Sequence, residues 1–289
     1  MPVRLDTVST SRSHGGTQGV YRHASSATGT EMLLSVFVPD HAPGARLPVV
    51  WYLSGLTCTH ANVTEKGEYR AACTEHGLVF VAPDTSPRGD NVPDDDAYDF
   101  GKGAGFYVDA TEAPWATHYR MRSYIETELP ALIAAEFPVD MARQGIMGHS
   151  MGGHGALTIA LRNPDRYRSV SALAPIVAPI EVPWGQKAFA GYLGQDRAAW
   201  RPYDACALID SGARLQDLLV DQGECDAFLG EQLQTHRLAK ACATAGIKAT
   251  VRMQPGYDHS YFFVSTFLAE HLAWHAERLN SVSHTASRR

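Results

Sequence analysis

The residues in this sequence best suited to chemistry form the segment Gly-His-Ser-Met-Gly at positions 148–152. An apolar stretch precedes it, and a run of small residues suited to the start of a helix follows it. This pattern is typical of a nucleophile elbow, a sharp strand-to-helix turn that exposes a serine hydroxyl above a sheet edge. The flanking glycines are needed because larger side chains would collide with the neighbouring strand or helix. Ser150 is therefore the predicted nucleophile.

A serine hydroxyl needs a base to accept its proton and an acid to orient that base. In proteins with this elbow, the acid and then the histidine follow the serine along the chain. Asp226 lies just beyond a predicted strand, and His259 lies between the last predicted strand and the C-terminal helix. This order predicts a triad of Ser150, Asp226 and His259.

Four of the other histidines are weighed as alternatives to His259. His149 and His154 belong to the elbow and the helix after it, where packing or a place on the helix surface is expected. His271 and His275 fall on an amphipathic helix and are expected to face solvent.

Two other carboxylates compete with Asp226 for the role of the acid. Asp221 ends a predicted strand, where it is expected to hold the following loop. Asp258 adjoins the histidine in sequence, so its side chain is expected to point away from it.

Acyl transfer from a serine passes through an oxyanion, which needs preorganised N–H donors. One predicted donor is the backbone amide of Met151, the residue after the nucleophile. The second is expected in the loop at 54–59, after an early predicted strand, where the backbone amide of Leu56 is the predicted donor.

The apolar pattern predicts the elements that position these residues. Strands are predicted at 31–38, 48–53, 78–82, 144–148, 169–174, 217–221 and 248–253, and helices at 64–76 with Thr64 as N-cap, 121–136, 151–162, 231–245 and 260–280. Continuous apolar runs are expected of parallel strands that are buried on both faces. The prediction is an α/β fold with a mostly parallel sheet, antiparallel N-terminal strands and helices on both faces. Two long inserts, at 84–118 and 178–210, are expected to line a site.

Composition limits the classes of function. With 289 residues, 45% of them hydrophobic, the chain is expected to form a single domain, with a frayed tail at 281–289. A formal charge of −6 without a basic stripe argues against nucleic-acid or membrane partners and favours a small-molecule substrate. The first thirty residues hold no signal-like apolar core, and no run of eighteen apolar residues occurs, so a soluble, unexported protein is predicted.

Cysteine and acidic residues indicate no bound metal or cofactor. The five cysteines are widely spaced with no CxxC pair, which indicates reduced thiols in the cytoplasm. The run at 94–96, three consecutive aspartates, is interpreted as a solvated loop because no cation-binding pattern surrounds it.

Seven segments together resemble one known family. They are LSGLTCT (53–59), PDTSPRG (83–89), GAGFYVDAT (103–111), GHSMGGHGAL (148–157), PWGQKAFAGYLG (183–194), DQGECDAFL (221–229) and GYDHSYFF (256–263). The chain resembles the S-formylglutathione hydrolase, or esterase D, family from about residue 51 to 275. The resemblance implies an α/β-hydrolase fold and hydrolysis of the thioester S-formylglutathione to glutathione and formate. Its nucleophile, acid and base match Ser150, Asp226 and His259.

The resemblance also gives three candidate substrate-binding residues. Cys58 matches a cysteine close to the serine that makes such enzymes sensitive to thiol reagents, the alternative being a small buried apolar residue. Trp184 and Lys187 resemble positions near the acyl and glutathione pocket, the alternatives being aromatic packing and a solvated lysine. The chain differs from the family at 176–182, where an Asn-Pro pair and a cysteine are expected.

Several functions stay open beside the S-formylglutathione hydrolase. They are a promiscuous short-chain carboxylesterase, an acyltransferase that passes the acyl group to an alcohol, and a non-enzymatic interaction protein on the same scaffold. The quaternary state is also open, with a homodimer as one alternative.

Overall fold

The computed structural model describes residues 4–281, and its centre is a nine-stranded sheet of order β1-β2-β3-β5-β4-β6-β7-β8-β9. The strands are β1 (Asp6–Ser13), β2 (Gly16–Ala24), β3 (Glu31–Pro39), β4 (Leu47–Leu53), β5 (Val79–Pro83), β6 (Val139–His149), β7 (Tyr167–Leu173), β8 (Asp217–Gly223) and β9 (Lys248–Gln254). Pairings from β1 to β5 are antiparallel, and those from β5 to β9 are parallel. The predicted sheet is confirmed. The predicted tail, except for Ser281, lies outside the described residues.

Burial explains why the strands differ in composition. All five residues of β5 are buried. By contrast, the edge strand β1 exposes seven of its eight residues. The parallel strands β4 and β5 are apolar throughout because helices cover both faces of the sheet.

Helices cover both sides of the sheet. They are α1 (His60–Lys66), α2 (Arg70–His76), α3 (Met121–Ser123), α4 (Leu129–Glu136), α5 (Met151–Arg162), α6 (Pro183–Leu193), α7 (Arg197–Trp200), α8 (Ala205–Asp210), α9 (Thr235–Ala245) and α10 (Tyr261–Asn280). Adjacent residues of β7 show the two faces. Ser171 hydrogen-bonds to His271 of α10, whereas a Cβ on Gly153 of α5 would lie 3.3 Å from the Cβ of Ala172. One sheet spans the described residues, and the single domain stays a prediction.

The helix predicted at 64–76 is wrong in its boundaries, because two helices occupy this part of the chain. Thr59 caps the first of them through a reciprocal pair of hydrogen bonds with Asn62 and the helix backbone. Thr64, the predicted N-cap, lies inside α1. Glu68 has φ +54°, a left-handed conformation that separates the two helices.

The two inserts differ in structure. The first, at 84–118, has little regular structure apart from a 3-10 turn at Trp115–Thr117. The second, at 178–210, contains three helices, α6 to α8, where the sequence predicted a loop. Proline in the first turn of α6 suits a helix start, since its missing N–H would be unpaired there in any case.

The prediction that His271 and His275 face solvent is wrong, because both are fully buried on α10 against the sheet. They continue a stripe with Val264 and Leu268, at steps of four, three and four residues, which is the spacing of one helix face. Serine side chains on β7 supply hydrogen-bond partners, so the imidazoles are tolerated in the interior.

Candidate active site

Ser150 lies on a sharp turn between the end of β6 and the start of α5. Its backbone adopts φ +58° and ψ −120°, a region that non-glycine residues rarely occupy. The turn is crowded by its neighbours: a Cβ on Gly152 would lie 1.9 Å from the carbonyl oxygen of Leu53, and one on Gly148 would lie 2.2 Å from the oxygen of Gly152. The local geometry is that of the predicted nucleophile elbow.

The predicted acid and base are in direct contact. Nδ1 of His259 lies 2.6 Å from Oδ2 of Asp226. The same carboxylate accepts hydrogen bonds from Nε2 of Gln222 at 3.1 Å and from the backbone N–H of Phe228 at 2.8 Å. Because a carboxylate can only accept, Nδ1 of His259 carries the proton and Nε2 is left free to accept one.

A cavity of about 260 Å³ joins the base to the nucleophile, since both Ser150 and His259 line it. No hydrogen bond between their side chains is found among residues 4–281. Such bonds often tighten only when a substrate is bound. Two larger cavities, of about 570 and 610 Å³, are lined by neither residue.

The competing carboxylates have other partners. Asp221 is fully buried and binds Arg252, Gln254 and His271. Asp258 accepts hydrogen bonds from the backbone and the hydroxyl of its near neighbour in sequence, Ser260.

His149 is the other histidine beside the cavity. Its ring centroid lies 4.5 Å from that of His259. Burial lowers its pKa well below the usual value, and the nearby His259 lowers it further. His154 is also buried, its Nε2 lies 3.0 Å from the carbonyl oxygen of Phe106, and burial lowers its pKa to about 4. Both therefore stay neutral near pH 7.

The two predicted oxyanion donors belong to segments that lie next to the serine. Within the described part of the chain, neither the Leu56 nor the Met151 N–H has a backbone acceptor. The loop carrying Leu56 lies against the nucleophile, because a Cβ on Gly55 would lie 3.0 Å from the Cβ of Ser150. Met151 is the first residue of α5, where helix N–H groups are unpaired and the dipole favours negative charge.

Two of the three predicted substrate-binding residues line the cavity. Cys58 and Trp184 do so, whereas Lys187 does not and instead pairs through Nζ with Asp99 at 2.5 Å. Burial raises the pKa of the Cys58 thiol. None of the residues at 176–182, where the sequence differs from the family pattern, lines the cavity.

Sequence reasoning missed six residues of the cavity wall: Thr57, Asn62, Tyr98, Phe228, Ser260 and Tyr261. Tyr98 lies on the first insert, and its hydroxyl accepts a hydrogen bond from Nε1 of Trp184 at 3.1 Å. Phe228 and Tyr261 each follow a predicted triad residue by two positions. That spacing, together with their aromatic character, is a signal that could have found them.

The described residues contain no cluster of three or more histidine, cysteine, aspartate or glutamate side chains arranged to hold a metal. Asp94, in the run of three aspartates, accepts hydrogen bonds from the backbone of Asp95 and Lys102. No helix in residues 4–281 is long and apolar enough to cross a membrane.

Known proteins resemble this chain over most of its length. The Esterase family model ("Putative esterase") matches residues 25–275. An S-formylglutathione hydrolase of Paracoccus denitrificans is 54% identical over 96% of this chain and 100% of its own length. A solved S-formylglutathione hydrolase of Agrobacterium tumefaciens has a TM-score of 0.94 and 56% identity, covering 95% of this chain and 99% of its own.

A more distant solved structure shares the fold alone. It is a fluorophosphonate-binding serine hydrolase of Staphylococcus aureus, with a TM-score of 0.72 and 18% identity over 90% of this chain and 98% of its own. High identity over nearly the whole length separates the nearer relatives from this one. The chain belongs to the esterase family and, within it, to the S-formylglutathione hydrolases.

Proposed function

We propose that this enzyme hydrolyses S-formylglutathione to glutathione and formate through a formyl-enzyme intermediate. One observation carries the proposal: the Asp226–His259 contact of 2.6 Å beside an elbow serine, in a chain more than half identical to S-formylglutathione hydrolases. The products are those of thioester hydrolysis, the chemistry that this family's name describes.

The first half-reaction transfers the formyl group to the enzyme. Ser150 Oγ attacks the thioester carbonyl carbon while Nε2 of His259 takes the hydroxyl proton, and Asp226 stabilises the resulting imidazolium. The N–H groups of Leu56 and Met151 donate to the oxyanion. When the C–S bond breaks, the proton on His259 passes to the sulfur, and glutathione leaves.

The second half-reaction releases formate. Nε2 of His259 takes a proton from water, and the oxygen of that water attacks the formyl ester carbonyl. The same two N–H groups hold the second oxyanion. As it collapses, the C–O bond to Ser150 breaks and the proton returns to Oγ, so the enzyme is regenerated.

The cavity suits a small acyl group attached to a larger thiol. Four of its twelve lining residues are tyrosine, tryptophan or phenylalanine, and the rings of Trp184 and Phe228 are in contact at a centroid distance of 4.8 Å. The formyl group would lie against Ser150. The glutathione part would extend past the exposed Tyr98 toward the Lys187–Asp99 pair, whose charges can meet the carboxylates and the ammonium of the peptide.

Kinetics with two substrates test the proposal. Purified enzyme is assayed with S-formylglutathione and with p-nitrophenyl acetate, and added alcohols are checked for acyl transfer. We expect kcat/KM to favour the thioester by at least about a hundredfold, a difference of ~2.7 kcal/mol. Higher kcat/KM for the acetate ester would indicate a general carboxylesterase, and ester products with the added alcohols would indicate an acyltransferase.

Cellular location and assembly are part of the same proposal. All five cysteines are free thiols, which supports a location in the reducing cytoplasm. A homodimer stays a prediction, and light scattering of the purified protein tests it.

A further inference from the structure

We propose that the first insert holds the loop at 54–59, the oxyanion loop that carries Leu56, in its active conformation, and that Tyr107 is the positioning residue through which it acts. This rests on the proposed function in one respect: the Leu56 N–H must be an oxyanion donor. The insert makes backbone-directed hydrogen bonds along the loop at 54–58, and the catalytic triad takes no part in them.

The oxyanion loop is strained. The N–H of Cys58 donates to the carbonyl of Gly55 at 3.3 Å, which closes a tight turn with Leu56 and Thr57 at its two central positions. Thr57 has φ +66°, a left-handed conformation that is unusual for a β-branched residue. Such a conformation persists only where the surrounding structure holds it. The direction of the Leu56 N–H therefore depends on contacts from outside the turn.

The insert supplies the contacts that hold the turn. The N–H of Thr57 donates to the carbonyl of Gly103 at 2.9 Å, and a Cβ on Gly103 would lie 3.1 Å from the Cα of Thr57. At the end of the loop, the carbonyl of Cys58 accepts hydrogen bonds from Oγ1 of Thr85 at 2.5 Å and from Nη2 of Arg88 at 3.3 Å.

Tyr107 holds the beginning of the loop. Its hydroxyl donates to the carbonyl of Ser54 at 2.9 Å, two residues before the Leu56 N–H. The side chain is about 1% exposed, and its ring packs so closely on α5 that a Cβ on Gly155 would lie 2.6 Å from it. The backbone at Phe106 and Tyr107 is left-handed, with φ +48° and +51°. The hydroxyl is thus held by helix packing on one side and by the insert on the other.

Loss of the Tyr107 hydroxyl should affect the transition state more than substrate binding. The Ser54 carbonyl would lose its partner, and the loop could relax away from the strained turn. The Leu56 N–H matters most when charge develops on the oxygen, so kcat should fall while KM stays nearly constant.

The test compares Tyr107→Phe with a matched variant, Tyr119→Phe. Tyr119 is also fully buried and donates its hydroxyl to a backbone carbonyl, but this acceptor, that of Pro93 at 2.6 Å, lies outside the loop at 54–59. We expect Tyr107→Phe to lower kcat by about tenfold, the effect of one net hydrogen bond. Tyr119→Phe should retain the wild-type kcat, whatever its melting temperature.

A second readout separates positioning from a general loss of packing. Infrared spectra of the acetyl-enzyme should show the ester carbonyl stretch at higher frequency in Tyr107→Phe than in wild type, because its hydrogen bonds weaken. Thr85→Val, which removes the hydroxyl at the other end of the loop, should shift the band in the same direction. An unchanged band and an unchanged kcat in Tyr107→Phe would overturn the proposal, as would equal losses of kcat in Tyr107→Phe and Tyr119→Phe.

The proposed function can fail independently of this inference. If wild type hydrolyses p-nitrophenyl acetate but not S-formylglutathione, the substrate assignment is wrong. The comparison of Tyr107→Phe with Tyr119→Phe is then made on the acetate ester, where the same oxyanion donors act.

Discussion

Nε2 of His271 lies 2.9 Å from Oδ2 of Asp221, and both side chains are fully buried. Nδ1 of His271 lies 2.8 Å from Oγ of Ser171, and that oxygen lies 2.8 Å from Nε2 of His275. Nδ1 of His275 lies 2.6 Å from Oγ of Ser169. None of these five residues lines the active-site cavity. The chain therefore contains a second serine, histidine and aspartate network, outside the cavity lining, that joins α10 to the sheet.

The direction of these hydrogen bonds follows from the carboxylate. Because Asp221 accepts, His271 donates from Nε2 and must accept at Nδ1 from Ser171. The Ser171 oxygen then accepts from Nε2 of His275, whose Nδ1 accepts from Ser169. One consistent set of donors satisfies every group with both imidazoles neutral. Burial lowers the pKa of both histidines, in agreement with this assignment.

Asparagine substitutions at Asp226 and at Asp221 should separate catalysis from stability. Asp226→Asn should lower kcat by about 10³- to 10⁴-fold, because His259 would be held in the wrong tautomer. Asp221→Asn should leave kcat nearly unchanged and lower the free energy of unfolding by about 2 kcal/mol, because the ion pair between the buried Asp221 and the partly exposed Arg252 is broken. Steady-state kinetics and urea titrations measure the two effects.

Asp258→Asn is the matched control for both variants. Asp258 is exposed and adjoins His259 in sequence, and among residues 4–281 its carboxylate accepts side-chain and backbone hydrogen bonds from Ser260. Neither kcat nor stability should change by much. A folded Asp221→Asn protein without turnover would transfer the role of the acid to Asp221.

Removal of the nucleophile or the base should abolish most turnover without unfolding the protein. Ser150→Ala and His259→Ala should each lower kcat by about 10⁴-fold or more, and the double variant should be no worse than either one, because triad residues act as a unit. Stopped-flow assays give the rates, and circular dichroism checks the fold. Wild-type turnover in a folded Ser150→Ala protein would refute the mechanism.

Much of this site could be predicted from the sequence because its signals are local. The elbow glycines, the chain order of the triad and the apolar strand runs all lie within short segments. The roles of the remaining groups depend on contacts between distant segments: Asp221 meets His271 fifty residues away, and Tyr107 meets Ser54 across 53 residues. Composition also concealed the helices of the second insert, whose glycines and prolines indicated loops.

Stability should fall in acid through the buried histidines. Burial lowers the pKa of His154 from 6.5 to about 4 and also lowers the pKa values of His149, His271 and His275. Between pH 6.5 and 4 the unfolded chain therefore binds more protons than the folded one, so this stability is complete above pH 6.5 and declines as the pH falls.

Urea titrations at pH 7.5 and 5.0 test the acid effect, with each pKa unit of difference worth about 1.4 kcal/mol. Replacing the buried His154 with glutamine should reduce the loss between the two pH values. His236→Gln, at an exposed position, should leave that loss unchanged. Equal urea midpoints at both pH values in wild type would contradict the prediction. Asp221 contributes to the loss of stability only at lower pH. Burial raises its pKa, but hydrogen bonds from His271 and Arg252 outweigh burial and lower the pKa to about 2.

Acyl chain length should strongly affect the rate. The cavity of about 260 Å³ is walled by Trp184 and Phe228, whose rings pack against each other, so it leaves little room for a long chain. A series of p-nitrophenyl esters from acetate to octanoate should show kcat/KM falling steeply beyond butyrate. A preference for octanoate would mean that the aromatic wall opens. Trp184→Ala should shift the optimum toward longer chains, whereas Trp274→Ala, on α10 and outside the cavity, should not.

Thiol reagents should show whether Cys58 merely lies beside Ser150 or takes part in the reaction. The residue lines the cavity beside Ser150, but it is only 8% exposed and burial raises its pKa, so little thiolate is present at pH 7. The exposed Cys225 should therefore react with a bulky maleimide first, with little loss of activity, and inactivation should follow slowly as Cys58 reacts.

Cys58→Ser should stay active and resist inactivation, while Cys225→Ser should be inactivated like wild type. Mass spectrometry of timed samples assigns each adduct. Inactivation of Cys58→Ser at the wild-type rate would place the sensitive thiol elsewhere, and a folded but inactive Cys58→Ser would give the thiol a role in the reaction.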